Sequence, residues 1–180
     1  MASHKPPQDA IALLTQDHRE VKELFDEFKK FQESGQTGVD DLKQELMDVV
    51  CEALTVHAQI EEEIFYPAAR EALPDEDDLL NEAEVEHASA KDLIAQIQAG
   101  SATDPMTCAK FIVLSEYIEH HVEEEQEEMF PKVRDSEMDT KAVGAQLAAR
   151  KEELMNLKVT APSVPPKSSL WDRLSGARTR

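Results

Sequence analysis

A motif repeated along the chain limits the folds open to it. His57-Ala-Gln-Ile-Glu61 is followed by Pro67, and His121-Val-Glu-Glu-Glu125 by Pro131, each proline ten residues after its histidine. Residues four apart on an α-helix share a face, so each copy sets an imidazole beside a carboxylate. His18 precedes the first copy and His87 the second. The chain therefore reads as half a site, repeated, and the halves form one site if helices carry them inward.

Apolar residues recur at helical spacing in five stretches separated by Gly, Pro or acidic breaks. The first runs from Asp9, a predicted N-cap, to about Gln32, with Ile11, Leu14, His18, Val21 and Phe25 on one face before Gly35 and Gly38. The second spans about Asp40 to Arg70, and His57 and Glu61 interrupt its row of Leu46, Val50, Ala53 and Ile64. The third follows Pro74 and carries Leu80, His87, Ile94 and Ile97 up to Gly100; the acidic run Asp75–Asp78 suits its positive N-terminus. The fourth opens at Asp104-Pro105 and aligns Leu114, Ile118, His121 and Glu125. The fifth, about Thr140 to Leu157, has no histidine and is expected to pack on the flank. Pro67 and Pro131 fall inside apparent helices and are expected to kink or end them beyond the site-facing turn. The fold class expected is all-α, an antiparallel up-down four-helix bundle with an additional C-terminal helix. Residues 9–157 form its one domain, and 158–180, rich in Pro, Ser and basic residues, form a disordered tail.

At 180 residues the chain can bury roughly 68–70 % of its unfolded surface in one domain. A formal charge of −19 argues against a nucleic-acid partner, because a phosphate backbone would be repelled. Cys51 and Cys108 lack ligand spacing and read as buried, reduced thiols. No apolar run approaches the ~20 residues of a membrane helix and the N-terminus has no apolar signal core, so a cytoplasmic, non-membrane protein is expected.

Four inward histidines and two inward carboxylates would each carry a desolvation cost of roughly 1–3 kcal/mol or more without strong partners. A metal pair satisfies all six: His18 and His57 on one ion, His87 and His121 on the other, Glu61 and Glu125 bridging. Such ligands suit Fe, Mn or Zn. Glu84, three before His87, and Tyr117, four before His121, are candidates for extra ligands or for donors to the ligands; either can also be an ordinary surface or core residue. His4, His120 and the acidic residues Glu62, Glu63, Glu123, Glu124, Glu127 and Glu128 are read as solvated.

Asp17-His18-Arg19, His57-x-x-x-Glu61-Glu62-Glu63-Ile64-Phe65-Tyr66-Pro67, Glu86-His87, and His121-x-x-x-Glu125 through Phe130-Pro131 resemble the haemerythrin-like HHE cation-binding family over about residues 9–157. The resemblance implies two non-haem iron ions with an oxo or hydroxo bridge, Zn or Mn being substitutes. Lys91 stands where the oxygen-carrying members place a second histidine on the third helix. The resemblance then implies reaction with O2, H2O2 or NO, for detoxification or sensing, over reversible oxygen carriage. A weak peroxidase, catalase-like or oxidase activity would follow. The alternative is an iron- or oxygen-sensing protein without turnover, read by a partner through the basic tail.

Overall fold

The computed structural model describes residues 8–159, with side chains to residue 157. The expected tail beyond residue 159, with the partner contact expected through it, lies outside the described residues, as does His4. The described elements are helices α1 (Ala10–Ser34), α2 (Asp40–Ile60), α3 (Tyr66–Ala72), α4 (Asp77–Gln98), α5 (Pro105–Glu124), α6 (Phe130–Asp135) and α7 (Thr140–Val159). A π-helical turn, Glu61–Phe65, joins α2 to α3, and another, Glu125–Met129, joins α5 to α6. Among the described residues there is no strand, and no helix is long and apolar enough to cross a membrane.

Local chemistry places the helix ends where the sequence suggests. Asp9 caps α1 by accepting from the Ala12 N–H at 2.8 Å, and Gly35 ends it in the left-handed conformation at φ 63°. Asp104 caps α5 by accepting from the N–H groups of Met106 and Thr107, with Pro105 at the first helical position. Short connections then turn the chain back on itself, and α1, α2, α4 and α5 close a ring in which each packs on the next. Helix α7 lies on the flank against α1, α2 and the first π-turn.

The interior holds two apolar clusters with a polar layer between them. One gathers Phe25, Phe28, Leu46, Met47, Phe111 and Leu114; the other gathers Ile11, Leu14, Ile60, Phe65, Leu80 and Phe130. Cys51 and Cys108 are buried and free, and burial, first, with the nearby Asp48 pushes the Cys51 thiol up to about 12. Neither Pro67 nor Pro131 ends or breaks its rod at the expected place. Each follows a π-turn closed by an i→i+5 bond, Tyr66 N–H to the Glu61 carbonyl and Phe130 N–H to the Glu125 carbonyl. The proline follows the residue that closes the turn, and helix continues beyond it.

Helix α7 is held close by the absence of a side chain. A Cβ on Gly144 would lie 2.5 Å from the Gln8 carbonyl oxygen and 2.6 Å from the Ala10 nitrogen, both backbone atoms. Gly144→Ala is expected to destabilise the protein by about 1–3 kcal/mol, the usual cost of overpacking. Thermal unfolding checks this, and an unchanged midpoint would show that α7 does not need this approach.

Candidate metal centre

Four helices deliver one histidine each into the polar layer: His18 from α1, His57 from α2, His87 from α4 and His121 from α5, all buried. Glu61 and Glu125 stand at the first position of each π-turn, at 0 % and 1 % exposure. The six predicted residues converge as two groups sharing Glu61, one of His18, His57, Glu61 and Glu125, the other of Glu61, His87 and His121, with donor atoms within 4.8 Å of one another in each. His18 Nε2 faces His57 Nε2 at 2.9 Å, and His87 Nε2 faces His121 Nε2 at 3.1 Å. Glu61 Oε2 lies 3.2 Å from His57 Nε2 and 3.4 Å from His87 Nε2, between the pairs. Glu125 Oε2 lies 3.2 Å from His18 Nε2 and 3.7 Å from His121 Nε2.

These atoms fit cations better than they fit one another. Both Glu61 oxygens and Glu125 Oε2 are buried without a hydrogen-bond partner, as are His57 Nδ1 and Asp17 Oδ2. A buried carboxylate normally has its lone pairs met, and here four imidazole nitrogens and two carboxylates point at a common space. Imidazole and carboxylate donors in this number suit a pair of first-row metal ions.

An outer ring orients the imidazoles through Nδ1. Glu86 Oε2 accepts from His121 Nδ1 at 2.7 Å, and Glu62 Oε1 meets His87 Nδ1 at 3.1 Å. Asp17 Oδ2 lies 3.5 Å from His57 Nδ1 and Asp17 also accepts from Lys151 of α7. His18 Nδ1 meets the side-chain amide of Gln126 at 3.0 Å. Glu62 was expected to face solvent, yet it bridges His87 to Lys91, whose amine donates to both its oxygens at 2.6 and 2.5 Å. The acidic run hid it, because Glu62 next to Glu61 looks like any solvated neighbour.

Tyr66 was quoted in the sequence motif without a role, and the structure puts its hydroxyl in the centre. It donates to Glu125 Oε1 at 2.9 Å and lies 3.2 Å from His87 Nε2. In an α-helix it would point about 140° away from Glu61, whereas the π-turn closed between them brings residues five apart into line. Glu84 and Tyr117 are not brought to the centre. Glu84 is exposed and accepts from Arg70 at 2.9 Å, and Tyr117 is half-buried against the apolar cluster around Phe111. His120 is exposed beside Glu124, as expected.

Burial would push the His57 imidazolium down, but Glu61 and Asp17 reverse this and raise it to about 10. Burial likewise opposes the Glu61 carboxylate, and His57 and His87 hold it well below the usual range. Burial and then the charges of Glu125 and Glu61 raise the Tyr66 phenol well above its ordinary value.

Against the His side of this layer lies a small chamber of about 20 Å³, lined by the four histidines and by residues that include Val21, Leu54, Ile94, Ile118 and Val122. That is room for about one water-sized molecule. Lys91 borders the chamber with its amine turned to Glu62.

A helical bundle carrying a buried, two-part His/Glu cation site is the class these features define. The family model described as the haemerythrin HHE cation-binding domain matches residues 9–133, and the chain belongs to that family. A solved structure, the HHE cation-binding domain-containing protein of Mycobacterium kansasii, superimposes with a TM-score of 0.68 at 21 % identity, covering 85 % of this chain and 91 % of that one. A DNA nickase of Nostoc sp. is 30 % identical over 129 residues, 72 % of this chain. The chain spans 34 % of that protein's length.

Two outcomes follow for the metal-free protein. Because the folded His57 value of about 10 lies above the ordinary 6.5, its stabilisation is complete below pH 6.5 and is lost as pH rises through about 10. A cation taking Nε2 must displace that proton, so metal uptake at pH 7 releases protons and apparent affinity rises with pH toward 10. Titration in weak buffer with an indicator dye measures the release, and uptake without it would contradict the charged His57. Tyr66→Phe removes the donor to Glu125 Oε1 and is expected to cost about 1–3 kcal/mol in chemical denaturation.

Proposed function

We propose that the protein binds two non-haem iron ions and that their centre reacts with a small molecule, O2, H2O2 or NO, instead of carrying oxygen reversibly. The observation that carries this reading is the set of buried, partnerless carboxylate oxygens of Glu61 and Glu125 facing four imidazole nitrogens beside a chamber sized for one small molecule. His18 and His57 would hold one ion, His87 and His121 the other, with Glu61 and Glu125 between them. When bound, such an iron pair supplies two-electron redox chemistry that no side chain here can supply. Zn or Mn would fit the same donors without the same chemistry.

The residues around the centre define what would be done with that chemistry. Lys91 of α4 is committed to Glu62, so its position offers no further ligand and leaves the chamber beside it to a guest. The Tyr66 hydroxyl holds a proton at Glu125 Oε1, within reach of a guest beside His87, and is also placed as a seventh donor. The valine, leucine and isoleucine walls make most of the chamber's lining beyond the histidines apolar. Peroxidase, catalase-like or oxidase turnover is the activity these features favour.

A second reading, an iron- or oxygen-responsive regulator without turnover, draws on one contact. Lys151 of α7 reaches Asp17, which faces His57, so a change of charge at His57 is felt one residue away from a flank helix that a partner could read. The nickase activity of the Nostoc relative is not carried over, since a chain of charge −19 repels phosphate. We place the protein in the cytoplasm, acting on small molecules.

Iron-loaded protein, reduced without air and then exposed to oxygen, tests the proposal, with His57→Ala as control. Two irons per chain, oxo-bridge absorption lost in the variant, and consumption of added peroxide are expected. Reversible oxygenation over repeated cycles would overturn the turnover reading. Substoichiometric iron indifferent to His57→Ala would overturn the di-iron reading itself.

A further inference from the structure

Laid over each other, the halves of the centre correspond residue by residue. Asp17-His18 matches Glu86-His87, His57 matches His121, Glu61 matches Glu125, and Lys22 and Lys91 each stand four residues after the first histidine of their half. Asp17 faces His57 as Glu86 faces His121. Phe130 stacks on His18 with ring centroids 5.9 Å apart, as Tyr66 lies over His87 at 5.3 Å. The correspondence breaks at Glu62, whose counterpart is Gln126. Carboxylate Glu62 holds Lys91; neutral Gln126 offers Lys22 no such partner, and Lys22 of α1 pairs with Glu119 of α5 at 3.0 Å.

A groove of about 300 Å³ lies between α1 and α5, with the Lys22–Glu119 pair on its wall. Its walls include Arg19, Lys22, Phe25, Lys29, Ser115 and Gln126. Its floor is the outer side of the inner chamber: His18, Val21, Ile118 and Val122 border both spaces. Two cavities are thus separated by the thickness of three aliphatic side chains and one imidazole. Val21 and Ile118 are buried and Val122 is half-buried, and rotamer changes of single aliphatic side chains are fast compared with opening a helix pair.

We propose that the α1–α5 groove is the entrance to the buried centre and that Val21, Ile118 and Val122 are its gate. The apolar gate admits uncharged molecules of two or three heavy atoms and rejects hydrated ions, which would shed water to pass. This inference rests on the proposed function for its guest, but not for its geometry.

The deciding variants narrow the groove or thin the gate without touching a hydrogen bond to a ligand. Thr15→Trp, at an exposed residue that lines the groove and not the chamber, should slow the oxidation of diferrous protein by dissolved O2 by about tenfold. Val122→Ala should speed the reaction, while Val85→Phe, on the exposed face of α4, should leave it unchanged. A second arm needs no iron: paramagnetic relaxation by dissolved O2 of the Leu54 and Ile94 methyl groups, which line the chamber and not the groove, should weaken in Thr15→Trp and strengthen in Val122→Ala in metal-free protein. Changes in both directions support the entrance. Oxidation and relaxation indifferent to Thr15→Trp and to Val122→Ala would overturn it. Failure to take up iron would overturn the proposed function, and the relaxation arm would still decide the entrance.

Discussion

The structure turns on the burial of two carboxylates. Glu61 and Glu125 are fully enclosed, and an ionised carboxylate deprived of water is tolerated only with opposite charge or aligned donors around it. In the metal-free chain His57 answers this by holding its proton to about pH 10, and Tyr66 by donating to Glu125. That compensation is partial, since both Glu61 oxygens still lack a hydrogen bond. Cations complete it, which explains why four helices are each committed to one imidazole and why two apolar clusters clamp the layer from either end. A less rigid enclosure would let water relieve the carboxylates and weaken the demand for metal.

Repetition makes the two cation positions similar, and two departures make them unequal. Three imidazoles face a carboxylate at Nδ1, whereas His18 faces an amide. A carboxylate partner raises the basicity of a ligating imidazole, so the His18 ion would be held by a weaker donor than its neighbour. The same half has Phe130 where the other has the Tyr66 hydroxyl, and it borders the groove. Lower donation, an apolar ring and proximity to the surface all fall on one side of the centre.

Helix number, caps and the six converging residues were legible because they obey a period of 3.6, and His57-x-x-x-Glu61 declares its face without any tertiary information. Tyr66 was not legible, for the π-turn that brings it round changes the period where the helix appears most regular. Glu62, Asp17 and Glu86 escaped for another reason. Each lies next to a predicted ligand, about 100° off its face, and reaches an imidazole from a different helix, a relation that spacing along one helix cannot express. Glu84 and Tyr117 had suitable spacing, but Arg70 claims the first and the apolar cluster around Phe111 the second. The site's geometry can be read along one helix, and its tuning only between helices.

The π-turns reconcile two demands on the same rod. Upstream, the ligand pairs need α-helical spacing so that His57 and Glu61, or His121 and Glu125, share a face. Downstream, Tyr66 or Phe130 must return to that face to cover the imidazole of the opposite half, five residues on. No uniform α-helix does both. One widened turn does, and a π-turn survives only where something favours it over the tighter helix. The proline two residues after each turn supplies that bias, since Pro67 and Pro131 cannot make the bonds that a regular helix would restore. Each repeated proline, which looked like a stop signal, is thus better understood as the device that sets the register between the ligands and the aromatic rings above them.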